Sequence, residues 1–408
     1  MLAAFGYRDF RVQWIGACSS AIGTWMQIIA QNWLVLSLTN SPFFLGLDAF
    51  LQQLPIIMFT LIGGVFADRY DRRKTLLASQ YIQMFTSGTL AVLMYMQVVQ
   101  VWHIMGLSFI TGVAQSFGGP AYQSLLPSLV AEKDLPNAIA LNSIQFNLAR
   151  VLGPLLFAAT LATFLKWGYN EPEAMNAAFF LNALSFLIVI GTLMSLHVKH
   201  VPPTHTRRMR EELQGGLHYV RNHGSLVALI VLAAATTFLG FAVLTFLPVF
   251  AQRVFRGGAG TYSRLMAFSG TGSIAGALVV AWLGKFKRMG VTALTMQAIY
   301  GLLILAFSMS HTIWLSEVLL LFTGASLMMV FSTVTSLVQL IAPNEIRGRV
   351  MSIYMVAFRG GMPLGSLAGG YFATIIGAPK VIGIHGSLLF LVALYFLLVR
   401  SHGIRESG

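Results

Sequence analysis

The chain has 408 residues, 56% of them hydrophobic and only 10% charged, with a mean hydropathy of +0.75. That is more apolar surface than a soluble core can hide, so lipid must be the solvent for much of it and a soluble enzyme is excluded. The net charge of +13 and the pI of 10.1 do not point to nucleic acid, because no basic, aromatic-bearing soluble face is present to meet one.

At roughly 20 residues per helical crossing, the apolar runs predict an all-α membrane protein of twelve spans. These start near Val12, Phe43, Thr75, His103, Ala138, Met175, Leu226, Tyr262, Val291, Thr312, Val350 and Val381. If the N-terminus is cytoplasmic, that side collects most of the cations. The other side keeps only Lys166, Arg253, Arg256, Arg264 and Lys380, which puts both termini inside.

The first run follows Arg8, Asp9 and Arg11 without a small-residue cleavage site and reads as an uncleaved span. It holds Cys18, the only cysteine, which excludes an internal disulfide or a cysteine metal site. Ser20, Thr24, Gln27 and Gln31 share one of its faces, and span four carries Ser108, Thr111 and Gln115. These stripes are either substrate contacts or polar helix-packing contacts. Asp48 in span two and Glu317 in span ten are the only carboxylates inside predicted spans. Each is either a proton carrier, since low dielectric favours the neutral acid, or an ionised interfacial anchor.

Between spans two and three runs Gly64-Val-Phe-Ala-Asp68-Arg69-Tyr-Asp-Arg72-Arg73-Lys74, a dense charge cluster in a sparsely charged chain. Gly64 offers a close helix approach, and Asp68 can pair with Arg72 at i+4 or face the positive end of span eleven near Arg347 and Arg349. The cluster then serves either as a state-dependent latch or as a topology signal. Span five groups Asn142, Gln145, Asn147 and Arg150 ahead of Gly153 and Pro154. Arg150 and Arg359 lie deep in their spans and either attract an acceptor-rich substrate or pair structurally.

A basic linker over 197–224, with Arg207, Arg208 and Arg210, divides a first half at 1–196 from a second at 225–408. The halves repeat: Arg150 and Pro154 recur as Arg359 and Pro363 at one and the same offset, each pair after a short loop carrying Pro and Glu. Two such parallel halves place a binding cavity at the midplane. The second half has Gly284-Lys-Phe-Lys-Arg288 where the first has its charged loop, with no counterpart of Asp68. The histidines form no cluster, so no metal site is expected.

Gly64-x3-Asp68-Arg69-x2-Arg72-Arg73, Gly153-Pro154, and Arg347-Gly-Arg349-Val-Met-Ser leading into Arg359-Gly-Gly-Met-Pro363-Leu-Gly together resemble the major facilitator superfamily. The similarity extends to its bacterial exporter branch that includes the enterobactin exporters. The resemblance implies two pseudo-symmetric six-helix halves, a latch at the charged loop, and a cavity lined by spans one, four, seven and ten. It also implies a monomeric secondary transporter of the bacterial cytoplasmic membrane, embedded in lipid and needing no cofactor. The expected activity is export of an amphipathic small molecule by alternating access, with the proton as coupling ion. Many proton-coupled exporters of the superfamily carry an acid in span one; this span has none. Uptake, a lipid-like substrate, or a non-transporting sensor are the alternatives. An enzyme is disfavoured, because no span carries a Ser/His/Asp, paired-aspartate or metal-ligand constellation and no phosphate-binding loop occurs.

Overall fold

A computed structural model describes residues 2–197, 217–284, 288–343 and 346–398, apart from the side chains at 61, 65 and 67–69. Most of the basic linker, Lys285, Lys287 and the side chains of Asp68 and Arg69 therefore lie outside the described residues.

Among the described residues twelve long helices follow one another: α1 (Arg8–Thr39), α2 (Pro42–Arg69), α3 (Arg72–Tyr95), α4 (Val101–Leu125), α5 (Leu135–Lys166) and α6 (Glu171–Met194). The second set is α7 (Gly224–Val254), α8 (Ala259–Leu283), α9 (Met289–Met309), α10 (Ile313–Ile341), α11 (Arg347–Ile376) and α12 (Ala378–Leu398). The 32 residues of α1 extend about 48 Å at 1.5 Å per residue, more than a hydrocarbon core of about 30 Å requires.

Helix boundaries follow local chemistry. Asn40 closes α1 in the left-handed region (φ 47°), which asparagine tolerates, and Pro42 opens α2 where its missing N–H costs nothing. Asp71 caps α3 by accepting from the backbone of Arg73 and Lys74. A reciprocal box between Asn170 and Glu173 starts α6. At the N-terminus, Tyr7 donates to Asp134 Oδ2 at 2.8 Å and Trp14 donates to the Leu141 carbonyl at 3.0 Å, tying the start of α1 to α5. The Asp134 bond raises the Tyr7 phenol above its ordinary value.

Contacts divide the chain into two compact units, Met1–Thr204 with Gly257–Ala267, and His205–Arg256 with Phe268–Gly408. Within each, glycine lets equivalent helices meet. A Cβ at Gly153 of α5 would fall 2.4 Å from the Trp25 Cβ of α1, and one at Gly365 of α11 would fall 1.8 Å from the Phe238 carbonyl oxygen of α7. The Arg-to-Pro repeat therefore has a packing counterpart in both units. α7 also contains two π-turns, at Thr236–Gly240 and Phe250–Val254, and the first is the segment that α11 presses against.

Eight of the helices are apolar enough to cross a membrane on composition alone. Of the other four, α11 carries Arg347, Arg349 and Arg359, and α1, α3 and α4 share a reason. They turn Gln31, Ser79, Gln83, Thr86, Ser87, Ser108 and Ser116 into the interior of the first unit, where lipid does not reach.

Candidate functional site

Asp48 is 3% exposed, one and a half turns into α2. Ser108 of α4 donates to its Oδ1 at 2.5 Å, and Gln31 Nε2 of α1 donates to its Oδ2 at 2.7 Å and to Ser108 Oγ at 2.9 Å. Among the described residues no cation pairs with this carboxylate. Three helices thus converge on one acid in the membrane interior, where an uncompensated charge costs a few kcal/mol on insertion scales.

The network continues along α1. Gln27 Nε2 donates to Gln31 Oε1 at 3.4 Å, and Gln27 Oε1 accepts from Ser87 Oγ of α3 and Asn182 Nδ2 of α6, both at 2.6 Å. Beside these amides lies a cavity of about 20 Å³, lined further by Gln52, Gln83, Thr86, Thr111 and Gln115, with room for about one water. Gln115 donates to Gln83 Oε1 at 3.3 Å, and the Thr86 and Thr111 hydroxyls meet at 3.0 Å. The stripes on spans one and four are accordingly parts of one buried network. Sequence reasoning missed Ser87 and Asn182; an amide in a span as apolar as α6 was the available signal.

Arg150 stands over the Trp25 ring with its guanidinium carbon 5.8 Å from the centroid, and Phe146 meets the same ring edge-on. Along α5, Asn142 and Gln145 share the Tyr122 hydroxyl of α4, while Asn147 donates to the carbonyl of Ser143 in its own helix. Pro154 is buried beside Gly153. In the second unit Arg359 is exposed, while Pro363 is buried in α11. Glu317 is 6% exposed near the start of α10.

At the charged loop, Arg72 donates to the Ser124 carbonyl near the end of α4 at 3.0 Å, and Arg73 to the Met194 carbonyl that ends α6. Both cations thus satisfy carbonyls at the negative ends of helices. The packing expectation for Gly64 needs correction. A Cβ there meets nothing within 4 Å, whereas a Cβ at the neighbouring Gly63 would fall 2.2 Å from the Ser116 carbonyl oxygen. Arg347 is exposed and Arg349 half-buried at the start of α11. A further group unforeseen from sequence gathers Phe241 of α7, Phe331 of α10, and Tyr354 and Phe358 of α11. Its ring centroids lie 4.7 to 5.9 Å apart.

Twelve helices in two six-helix sets, one set enclosing a polar interior, define a secondary transporter of the major facilitator fold. The chain belongs to the family described as transmembrane secretion effectors, whose model matches residues 1–406. It is 24% identical over 381 residues to the staphyloferrin A transporter of Staphylococcus aureus, covering 93% of each chain. It is 22% identical over 388 residues to macrolide efflux protein A of Streptococcus pyogenes, covering 94% of each. Among solved structures, a bacterial homolog of the human lysosomal transporter Spinster, in an inward-facing conformation, superposes with a TM-score of 0.74 at 12% identity, over 97% of both chains. The chain is therefore an integral membrane protein that moves small molecules, and it is not an enzyme.

Proposed function

We propose that the protein exports an amphipathic small molecule across the bacterial cytoplasmic membrane by alternating access, in exchange for protons, as a monomer with both termini cytoplasmic. The similarity to a staphyloferrin A transporter and a macrolide efflux protein supports export of a small molecule. The observation that carries proton exchange is Asp48: a carboxylate buried in a membrane helix, held by two neutral donors and by no described cation. Its charge is relieved most simply by taking up a proton, and a site that binds its proton in one facing state and releases it in the other couples transport to the proton gradient. Half-buried Arg150 over Trp25, flanked by Phe146, supplies a cationic and aromatic subsite suited to an acceptor-rich amphipathic molecule.

The test is transport of staphyloferrin A and of a macrolide into inverted vesicles, with and without an imposed pH gradient. The reading expects accumulation of at least one of them that collapses with a protonophore. Accumulation that survives the protonophore and follows a sodium gradient contradicts it.

A further inference from the structure

The hydrogen bonds leading to Asp48 all run in one direction. Ser87 Oγ and Asn182 Nδ2 donate to Gln27 Oε1, Gln27 Nε2 donates to Gln31 Oε1, and Gln31 Nε2 donates to Asp48. Each amide donor points toward the carboxylate and polarises the next, so the chain strengthens toward its charged end, and the single Ser87 hydrogen is shared between Gln27 Oε1 and the Phe179 carbonyl. We propose that Gln31 and Gln27 are positioning residues that carry the charge state of Asp48 across α1 to α3 and α6. The proposal rests on Asp48 as the proton site.

The mechanism follows from donor and acceptor counting. With the carboxylate ionised, both oxygens accept, one from Ser108 and one from Gln31. One proton added to Oδ2, the oxygen that Gln31 addresses, turns it into a donor, and no other covalent bond forms or breaks. That donor faces the Gln31 amide nitrogen, also a donor, so Gln31 turns and presents Oε1 instead. Its Nε2 then faces Gln27 Nε2, which repeats the conflict one step on and transfers it to Asn182 and Ser87. The chain has two self-consistent directions, and the proton selects between them.

Two independent features favour transmission over local absorption. The cavity of about 20 Å³ lies against both glutamines and gives their amides room to turn. At the far end, a Cβ at Gly23 of α1 would lie 2.5 Å from Asn182 Oδ1, so α1 and α6 are already in close contact where the signal arrives. Among the described residues no other titratable group bonds to Asp48. Of the helices packed on α2, α1 carries Arg8, Asp9, Arg11 and Cys18, α3 carries Arg72, Arg73, Lys74, Tyr81 and Tyr95, and α4 carries His103 and Tyr122; none bonds to Asp48.

The experiment follows the infrared carboxyl band of Asp48, identified by its loss in Asp48→Asn, against pH in purified full-length protein without substrate. Gln27→Met preserves length and packing but ends the chain at Gln31. Its carboxylate loses polarised donors, so half-protonation is expected about one pH unit higher. Ser87→Ala should move it the same way by less, and serves if Gln27→Met does not fold. Thr111→Val, which lines the cavity off the chain, should leave it in place. In the Asp48→Asn background, Gln27→Met should change gradient-driven transport no further. A midpoint unmoved by Gln27→Met and Ser87→Ala overturns the proposal and assigns the proton to Ser108 alone. If Gln27→Met moves the midpoint while Asp48→Asn still couples, the chain stands and the proton-exchange reading fails.

Discussion

The interiors of the two units differ in kind. The first encloses a bonded network of amides, hydroxyls and the Asp48 carboxylate contributed by five helices; the second holds the clustered rings of Phe241, Phe331, Tyr354 and Phe358 and an aliphatic core including Leu229, Val334 and Leu337, with Gln297, Glu317 and His385 among its buried polar groups. Yet both units use a close glycine contact in corresponding helices, at Gly153 just before Pro154 in α5 and at Gly365 shortly after Pro363 in α11. A shared helix arrangement with different contents separates packing from chemistry: each unit has a glycine near its proline where helices meet, while the bonded network around Asp48 belongs to the first unit.

The packing half of this comparison breaks most readily. Gly153→Leu and Gly365→Leu would place a Cβ 2.4 Å from the Trp25 Cβ and 1.8 Å from the Phe238 carbonyl oxygen, inside van der Waals distance. Each should destabilise by about 3 kcal/mol or prevent folding, read as lost thermal stability in detergent. Gly64→Ala, facing open space, should stay within about 0.5 kcal/mol of wild type. Equal losses at Gly64 and Gly153 would break the claim that packing is set at these contacts.

The next largest effect sharpens the chemical half. Phe331→Ala removes a ring between Phe241 and Phe358 and should cost about 2–3 kcal/mol, less than a fully buried phenylalanine because Phe331 is half-buried. It should weaken substrate binding while the dependence on the pH gradient is unchanged. A variant of the aromatic cluster that uncouples transport would show that the second unit also handles the ion.

Arg150→Lys is the smallest. It keeps the charge but loses the planar stacking on Trp25, worth about 0.5–2 kcal/mol. As a substrate contact, it should lower affinity with the stability of the empty protein nearly constant. A stability loss without an affinity change assigns Arg150 to structure.

Much of this arrangement was legible in the chain, and the limits have physical causes. The number of spans follows from apolar runs, and the internal repeat from two residues recurring at one offset. Asp48 stood out because a carboxylate is rare in such a run. Its partners were harder to read: Gln31 and Ser108 carry polar stripes that fit a lumen or a helix contact equally well, and only three-dimensional convergence on one carboxylate decides between them. Arg72 and Arg73 read as charges but act on the carbonyls that end α4 and α6, a contact set by helix ends far away in sequence. The aromatic cluster was invisible among 30 phenylalanines, because nothing local distinguishes a ring facing another ring from a ring facing lipid.

The central claim is that the first unit's carboxylate carries the coupling proton, and Asp48→Asn in reconstituted vesicles tests it most directly. Asparagine keeps the size and accepts from Ser108 but cannot ionise. The account predicts that accumulation driven by a pH gradient falls to the level without a gradient, while exchange at equal pH continues near the wild-type rate. Wild-type accumulation by Asp48→Asn contradicts it.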